Sequence, residues 1–206
     1  MYIKITCLLI FLNVYFVNST DKEALKEKME KEQVVPNVID QVPEHVAEVQ
    51  YPGGQKVDLG NELTPTQVKD QPTITWPADS NSYYTVLMVD PDAPSRKEPK
   101  VSEVLHWSVG NVPGNDVAKG ETLAGYRGSG PPQGTGLHRY IFLVYKQSGK
   151  IEFNEQRIDN LTRTGRLNFS ARKYAEKYNL GQPIAGNFYQ AQFDEWVLEM
   201  QKLTKA

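Results

Sequence analysis

Cysteine is almost absent from this sequence, and histidine is scarce. Cys7 is the only cysteine among 206 residues, and histidine occurs three times. The composition therefore excludes a scaffold held by several disulfide bonds and a zinc site built from thiolates. Long basic runs are lacking too, and 23 Lys and Arg residues are offset by 25 Asp and Glu residues. Since binding to a nucleic-acid backbone requires clustered cations, nucleic acid is not an expected partner.

Long hydrophobic runs are also missing. The longest apolar segment, Ile5 to Val17, is shorter than the roughly 20 residues that a membrane-spanning helix requires. Lys4 precedes this segment, and Val17 and Ser19 provide small side chains for a cleavage site. This is the pattern of a secretory signal peptide. We therefore expect residues 1–19 to be a signal peptide and the mature protein to be secreted and extracellular, with no transmembrane segment.

Residues 20–45 form a charged arm and lead-in. Thr20 and Glu23 have the spacing of a capping box, which predicts a short helix at the beginning of the arm. Few apolar side chains lie in this helix: Ala24, Leu25 and Met29. A narrow stripe of this kind predicts a solvated helix. His45, at the end of the lead-in, is also expected to be solvated.

Short strands dominate the chain from about Val46 onward. Five segments are rich in β-branched and aromatic residues: 56–59, 73–76, 83–89, 104–109 and 140–145. Turn-forming clusters of Gly, Pro, Asn and Asp separate them, and no long helix intervenes, which predicts antiparallel sheet in a sandwich or barrel-like form. The segment 83–89 is apolar on both faces, so we expect a central strand that is covered on each side.

Two amphipathic helices are predicted near the end of the chain. The first has Ser170 as its cap, and its apolar stripe is Ala171, Tyr174, Ala175 and Tyr178. The second has Asn187 as its cap, and its stripe is Tyr189, Phe193, Trp196, Val197 and Met200. Both helices are expected to pack on the sheet.

Polar residues gather at the ends of the predicted strands. Asp90 and Asp92 lie on a proline-rich turn directly after the central strand. Each carboxylate is able to accept backbone hydrogen bonds, as in an Asx turn, or to hold a partner's donor. In segment 104–109, strict alternation places two sets of side chains on opposite faces: Val104, His106 and Ser108 on one, and Leu105, Trp107 and Val109 on the other.

A glycine-rich loop, residues 125–139, leads into the strand 140–145. Gly128 and Gly130 lack a Cβ, so their amides are able to approach a ligand closely, while Pro131 and Pro132 stiffen the chain that follows. His138 and Tyr140 are two residues apart where the strand begins, so their side chains should lie on the same face of the sheet. We therefore expect two imidazoles, a phenol, a carboxylate and backbone amides to converge.

Two catalytic or metal-binding alternatives use the same residues. Ser129, a histidine and Asp90 supply the residue types of a hydrolytic triad, but Ser129 does not lie in a Gly-x-Ser-x-Gly elbow. His106, His138 and Asp90 have the donor atoms of a metal site, yet they lack short-range ligand spacing. We therefore expect no catalysis, no metal site and no cofactor.

These motifs together resemble the phosphatidylethanolamine-binding protein family. The resemblance runs from about Val46 to Val197, and six segments carry it: Tyr51-Pro-Gly-Gly, Asn61-Glu-Leu-Thr-Pro-Thr-Gln, Asp90-Pro-Asp-Ala-Pro-Ser-Arg, Gly128-Ser-Gly-Pro-Pro, Gly136-Leu-His-Arg-Tyr and Gly186-Asn-Phe-Tyr-Gln-Ala. It implies that residues 46–206 form a mainly β domain, a sandwich of two antiparallel sheets with C-terminal helices.

The resemblance also implies a small pocket for phosphate, phosphoethanolamine or similar head groups. Ten positions match the family's pocket: Asp90, Pro94, His106, Tyr126, Gly128, Gly130, Pro131, Pro132, His138 and Tyr140. We expect a binding protein for phosphorylated head groups or phospholipid. An imidazolium donor in the pocket predicts an affinity that falls as the pH rises through about 6.5. The alternative that the resemblance leaves open is a serine protease inhibitor or a signalling regulator that acts by protein contact.

The sequence departs from the family pattern at the edge of the pocket. Many members have a Trp-His pair before the position of His106, where this chain has Val104 and Leu105. Some members have a Tyr where Gln201 lies here. These differences predict a less aromatic and more open pocket wall. Elsewhere, Asn160 and Asn168 begin glycosylation sequons, and we expect both to be available for glycosylation in a secreted chain.

Overall fold

The computed structural model describes residues 20–204, and within them it shows one six-stranded sheet, one two-stranded sheet and four α-helices. The predicted signal peptide, residues 1–19, lies outside this range. The strands are β1 His45–Val46, β2 Glu48–Gln50, β3 Thr73–Thr75, β4 Tyr83–Asp90, β5 Val104–Pro113, β6 Glu121–Ala124, β7 His138–Gln147 and β8 Ala185–Ala191. The helices are α1 over residues 20–31, α2 Val34–Asn37, α3 Ala171–Lys177 and α4 Trp196–Leu203. No helix in this part of the chain is long and apolar enough to cross a membrane.

The larger sheet is mixed, which corrects the prediction of two antiparallel sheets. Its strand order is β1-β8-β7-β4-β5-β6, and every neighbouring pair is antiparallel except β1 and β8. The smaller sheet, β2 with β3, is antiparallel as expected. The prediction of a mainly β fold is confirmed. The parallel pair arises because the lead-in reaches the sheet edge at His45 and runs alongside β8 in the same direction.

The larger sheet is covered on both faces. Along β4, Val86 and Met88 belong to one apolar cluster and Leu87 and Val89 to the other, as alternation along a strand requires. The small sheet packs on the first face, and helices α1 to α3 pack on the second. All of β4 after Tyr83 is buried, so the prediction of a central strand is confirmed.

Helix α1 is not solvated, so that prediction is wrong. Leu25 and Met29 have no exposed surface and belong to the cluster on the second face of the larger sheet. Two fully buried side chains of this size contribute roughly 1.5–3 kcal/mol each. The end of the helix is held as well, because Arg139 Nη1 donates to the carbonyl oxygens of Glu32 and Gln33. Two apolar residues one turn apart, together with the hydrogen bonds from Arg139, thus dock the helix on the sheet.

The two predicted C-terminal helices had different outcomes. Helix α3 is confirmed, including the cap, since Ser170 Oγ accepts the backbone N–H of Lys173 at 3.3 Å. The second prediction is wrong over its first half, where residues 185–191 form β8. Asn187 does not cap a helix, because its side-chain amide donates to the carbonyl oxygens of Ala47 and Val57.

Four of the five predicted strand segments are strands, and four strands, β1, β2, β6 and β8, were not predicted. Segments 73–76, 83–89, 104–109 and 140–145 fall on β3, β4, β5 and β7. Segment 56–59 is not a strand and makes only an isolated bridge between Lys56 and Gln50. Strands β6 and β8 were not predicted, because neither has a strong run of β-branched residues.

Candidate anion-binding site

A cavity of about 530 Å³ opens where β4 ends and where β5 and β7 begin. We call it the site cavity. Seven of the ten predicted positions line it: Asp90, Pro94, His106, Gly130, Pro132, His138 and Tyr140. His138 and Tyr140 lie on one face of β7, as their spacing of two residues predicted. Residues from β4, β5, β7 and the glycine-rich loop are thus brought together.

A β-bulge places His106 in the cavity. Met88 pairs with Trp107 and Val89 pairs with Leu105, so His106 is an extra residue without a partner in this ladder. Trp107 lies in the cluster on the first face and Leu105 in the cluster on the second. The strict alternation predicted for 104–109 is therefore wrong at this point. His106 lies edge-on to Tyr140, with ring centroids 5.1 Å apart.

His106 is a neutral hydrogen-bond acceptor in the cavity. Burial lowers its pKa to about 4, and the cations of Arg166 and Arg127 act in the same direction, although Asp90 opposes them. Nδ1 lies 2.8 Å from the carbonyl oxygen of Arg127, and since a carbonyl only accepts, Nδ1 carries the proton. Nε2 is then the acceptor atom. The predicted imidazolium donor with a transition near pH 6.5 is therefore wrong for this residue.

His138 lies between two acceptors. Its Nδ1 is 3.0 Å from Asp90 Oδ2, and its Nε2 is 3.0 Å from Thr135 Oγ1. The Thr135 hydroxyl gives its one hydrogen to the carbonyl oxygen of Pro132, at 2.8 Å, so it faces Nε2 with a lone pair. Both ring nitrogens of His138 therefore face oxygen atoms of the protein. The two histidines of the cavity thus differ in the atoms that they present.

Tyr140 forms the floor of the cavity. Its ring stacks on Tyr189 with centroids 5.1 Å apart, and its hydroxyl oxygen accepts the N–H of Gly130 at 3.3 Å. Burial raises its pKa well above the ordinary value, and the nearby carboxylate of Asp90 adds to this effect. The side chain is therefore a neutral phenol. The Gly130 amide, predicted to be open to a ligand, is directed at this hydroxyl.

Three predicted positions do not line the cavity. The Tyr126 hydroxyl donates to the carbonyl oxygen of Val68 at 2.7 Å and also contacts Tyr51, inside the core. A Cβ on Gly128 would lie 2.8 Å from that same carbonyl oxygen, so glycine is needed there for close approach of two backbone segments. Pro131 is buried beside it. Ligand roles for these three residues stay predictions.

Three arginines line the cavity, and sequence reasoning missed all of them: Arg127, Arg163 and Arg166. Arg166 is fully buried and all its N–H groups point to backbone carbonyls: those of Leu105, His106, Gly125, Asp159 and Thr162. Arg127 is half-buried and donates to Thr204 Oγ1. Arg163 is exposed. Two of the three come from an irregular segment before α3, where the sequence carries no recognisable pattern.

The arginines make one side of the cavity strongly cationic. Burial lowers the pKa of Arg127, and the nearby charge of Arg163 lowers it further. Burial also lowers the pKa of Arg166, to about 10, with Arg127 as the next cause. Among the described lining residues, Asp90 is the only carboxylate. A bound anion would relieve the mutual repulsion of these partly desolvated cations.

Helix α4 forms the remaining rim. Met200, Gln201 and Thr204 line the cavity, although the sequence analysis assigned no site role to this helix. Outside the cavity, His45 is exposed as predicted, and the side chains of Asn160 and Asn168 are exposed too. In the described part of the chain, no group of three or more His, Cys, Asp or Glu side chains is arranged to hold a metal ion.

Comparison with known proteins agrees with this fold. The model of the family described as phosphatidylethanolamine-binding protein matches residues 53–190. The chain is 40% identical over 180 residues to the putative odorant-binding protein A5 of Drosophila melanogaster, covering 87% of this chain and 86% of that protein. The protein therefore belongs to the phosphatidylethanolamine-binding protein family.

Two further similarities concern a secreted protein and an inhibitor. The chain is 44% identical over 161 residues to the 26 kDa secreted antigen of Toxocara canis, covering 77% of this chain but only 61% of that protein. The crystal structure of carboxypeptidase Y inhibitor complexed with the cognate proteinase matches with a TM-score of 0.72 and 26% identity. That match covers 84% of this chain and 97% of the solved one.

Proposed function

We propose that this protein is a secreted, non-catalytic binding protein for a small anionic head group of the phosphate type. The observation that carries the proposal is the site cavity itself, in which three arginines face a single carboxylate. Arginine presents planar, fork-shaped donors that match phosphate oxygens. All donor groups of Arg166 are bound to backbone carbonyls. Arg127 makes one short hydrogen bond, to Thr204, and two long ones of 3.5 Å, to Asn160 and Leu161. Arg127 and Arg163 are therefore the side chains that would bind the oxygens directly.

The cavity suits a zwitterionic head group such as phosphoethanolamine. The neutral Nε2 of His106 and the carboxylate of Asp90 are acceptors, and both residues are buried and line the cavity. An ammonium group would donate to such acceptors, while the phosphate contacts the arginines. Few ligand atoms take part, and ordering costs are subtracted, so we expect dissociation constants in the micromolar range or weaker.

Calorimetric titration with phosphoethanolamine tests the proposal. The His138→Ala variant removes the ring that holds Asp90 and is expected to weaken binding at least tenfold. His45→Ala is the matched control, since His45 is exposed and lies outside the cavity. The proposal is wrong if phosphoethanolamine and inorganic phosphate both fail to bind the native protein, or if His138→Ala, still folded by circular dichroism, binds as the native protein does.

A second candidate function is protease inhibition. The fold and 26% identity shared with carboxypeptidase Y inhibitor favour it, because that protein is seen in complex with its proteinase. We infer that inhibition would be a property of the outer surface and independent of the site cavity. An assay against a serine carboxypeptidase, trypsin and chymotrypsin separates the two functions. Inhibition that phosphoethanolamine does not relieve would support this second function.

Secretion is part of the proposal. The pattern of residues 1–19 and the name of the Toxocara canis relative support it. Expression in insect cells should deliver the protein to the medium, with its first residue at or near Thr20. Mass spectrometry before and after glycosidase treatment would locate that residue and determine whether Asn160 and Asn168 carry glycans. A chain retained in the cells with residues 1–19 intact would contradict secretion.

A further inference from the structure

Several side chains that line the site cavity are apolar. Four of them are Val101, Val104, Leu167 and Met200. They come from the segment before β5, the first residue of β5, the segment before α3, and α4. All four are half-buried, so each retains apolar surface that faces the cavity. We call this set the apolar wall.

The apolar wall adjoins the polar end of the cavity. A Cβ added to Gly130 would overlap the terminal methyl group of Met200, so that methyl group lies directly on Gly130. Gly130 in turn donates its amide to Tyr140. A ligand whose charged end occupies the polar end would therefore present its next atoms to Met200 and the rest of the wall.

The size of the cavity exceeds what a head group fills. Its volume of about 530 Å³ falls within the range of roughly 300–1,000 Å³ that is usual for small-molecule sites. A water molecule occupies about 30 Å³, so a bound phosphate would leave many water molecules against the apolar wall. Replacing this water with an apolar group is favourable.

We propose that the ligand is a small water-soluble amphiphile, with one phosphate-type anionic end and a short apolar body that packs on the apolar wall. This inference rests on the proposed function and adds the class of molecule that the cavity selects. Val104 and Met200 are the specificity-determining residues, because they join the wall to the polar end. A phospholipid held by its head group while its acyl chains remain in a bilayer would leave the wall unused.

Titration with a homologous series tests the inference. The probes are inorganic phosphate, methyl phosphate, butyl phosphate and hexyl phosphate, measured by calorimetry at one pH and one ionic strength. Each fully buried methylene group is worth about a fourfold gain in affinity. Because the cavity is open on one side, we expect hexyl phosphate to bind at least tenfold more tightly than methyl phosphate.

Two variants locate the gain. Val104→Thr keeps the β-branched shape but makes the wall polar. Met200→Gln keeps an unbranched side chain of similar length and makes the wall polar on α4. Both should reduce the ratio of hexyl to methyl phosphate affinity by at least threefold. Leu198→Gln is the matched control, since Leu198 is 42% exposed on the same helix and does not line the cavity. It should leave the ratio unchanged.

The possible outcomes distinguish a failure of the amphiphile proposal from a failure of the proposed anion site. If all four probes bind with equal affinity, the proposal of an amphiphilic ligand is wrong and the proposed anion site is unaffected. If butanol and hexanol bind as tightly as the alkyl phosphates, the phosphate group contributes nothing to binding. The proposed anion site and the proposed amphiphilic ligand would then both be wrong. If phosphatidylethanolamine vesicles bind tightly while hexyl phosphate gains nothing over methyl phosphate, a membrane-held head group replaces the proposed ligand.

Discussion

Asp90 and Asp92 lie two residues apart on one turn, and the structure uses them differently. Asp92 is almost fully buried and accepts three hydrogen bonds from Arg139, from the backbone N–H, Nε and Nη2, at 2.6–2.9 Å. Arg139 gives its remaining donor group, Nη1, to carbonyl oxygens at the end of α1. Asp90 instead accepts the N–H of Asp92 and contacts His138, and it borders the site cavity.

The difference shows that burial of a charged group does not by itself indicate a functional site. Both carboxylates are less than 5% exposed, and both have hydrogen-bond partners. Arg139, the partner of Asp92, has all its donor groups bound to protein acceptors and lies away from the cavity. This pair therefore holds the turn, β7 and α1 together. His138, the partner of Asp90, lines the cavity. We therefore assign Asp92 to stability and propose that Asp90 belongs to the anion site.

The largest expected effect comes from breaking the Asp92 pair. Asp92→Ala leaves the Arg139 guanidinium buried without its carboxylate, and loss of one partner from a buried pair typically costs about 3–5 kcal/mol. Asp90→Ala should cost less, about 1–2 kcal/mol, because it removes ordinary hydrogen bonds to His138 and to the N–H of Asp92 and leaves no buried guanidinium without its carboxylate. Urea denaturation of both variants measures the contrast. Equal losses of stability would contradict the division between the two residues.

Glu103 is a third buried carboxylate, and its contribution to the free energy of unfolding should depend on pH. It accepts the N–H of Ala171 at 3.0 Å, and burial raises its pKa to about 7 from 4.5. Between these values the unfolded chain binds fewer protons than the folded one, so stability falls as the pH rises from about 4.5 to 7. Glu103→Gln removes this fall, which amounts to at most about 3 kcal/mol.

The measurement for Glu103 is the free energy of unfolding of both proteins across this range of pH. The native protein and Glu103→Gln should have similar stability near pH 4.5, and the variant should be the more stable one at pH 8. A difference between them that does not change with pH would show that the carboxyl group titrates normally in the fold.

Two arginines of the cavity, Arg127 and Arg166, should differ in what their loss affects, and the expected effects are of moderate size. Arg127→Met should weaken phosphate binding about tenfold, equivalent to about 1.4 kcal/mol, and reduce its dependence on salt, with little loss of stability. Arg166→Met should mainly destabilise the protein, because it leaves backbone carbonyls without donors. Calorimetry at two salt concentrations, together with thermal unfolding, measures both effects. An Arg127→Met variant that binds phosphate normally would remove this residue from the site.

The smallest expected effect concerns His106, whose ring should not titrate between pH 5.5 and 8. Because the pKa of His106 is lowered to about 4, its ring should remain neutral between pH 5.5 and 8. The Cε1–H chemical shift of His106 in NMR spectra should therefore stay constant over that range and move only as the pH approaches 4. A midpoint near 6.5 would restore the imidazolium that the sequence suggested and would give His106 the role of a donor.

Much of the site was predictable, and the failures have two causes. Short motifs placed Asp90, His138 and Tyr140 at the ends of buried strands, and the cavity contains all three. Arg163 and Arg166 had no local pattern, because their position depends on where an irregular segment packs. Local periodicity also gave a helix where β8 forms, since a stripe of aromatic residues fits more than one period over a short window.

Local patterns and motifs of fixed spacing were sufficient to predict the mainly β class, the central strand β4, helix α3 and the family. The docking of α1, the bulge at His106, the different contacts of Asp90 and Asp92, and the arginines of the cavity became visible only in the folded chain. Burial and the charge of a site are set by groups distant in the chain, and only folding brings those groups together.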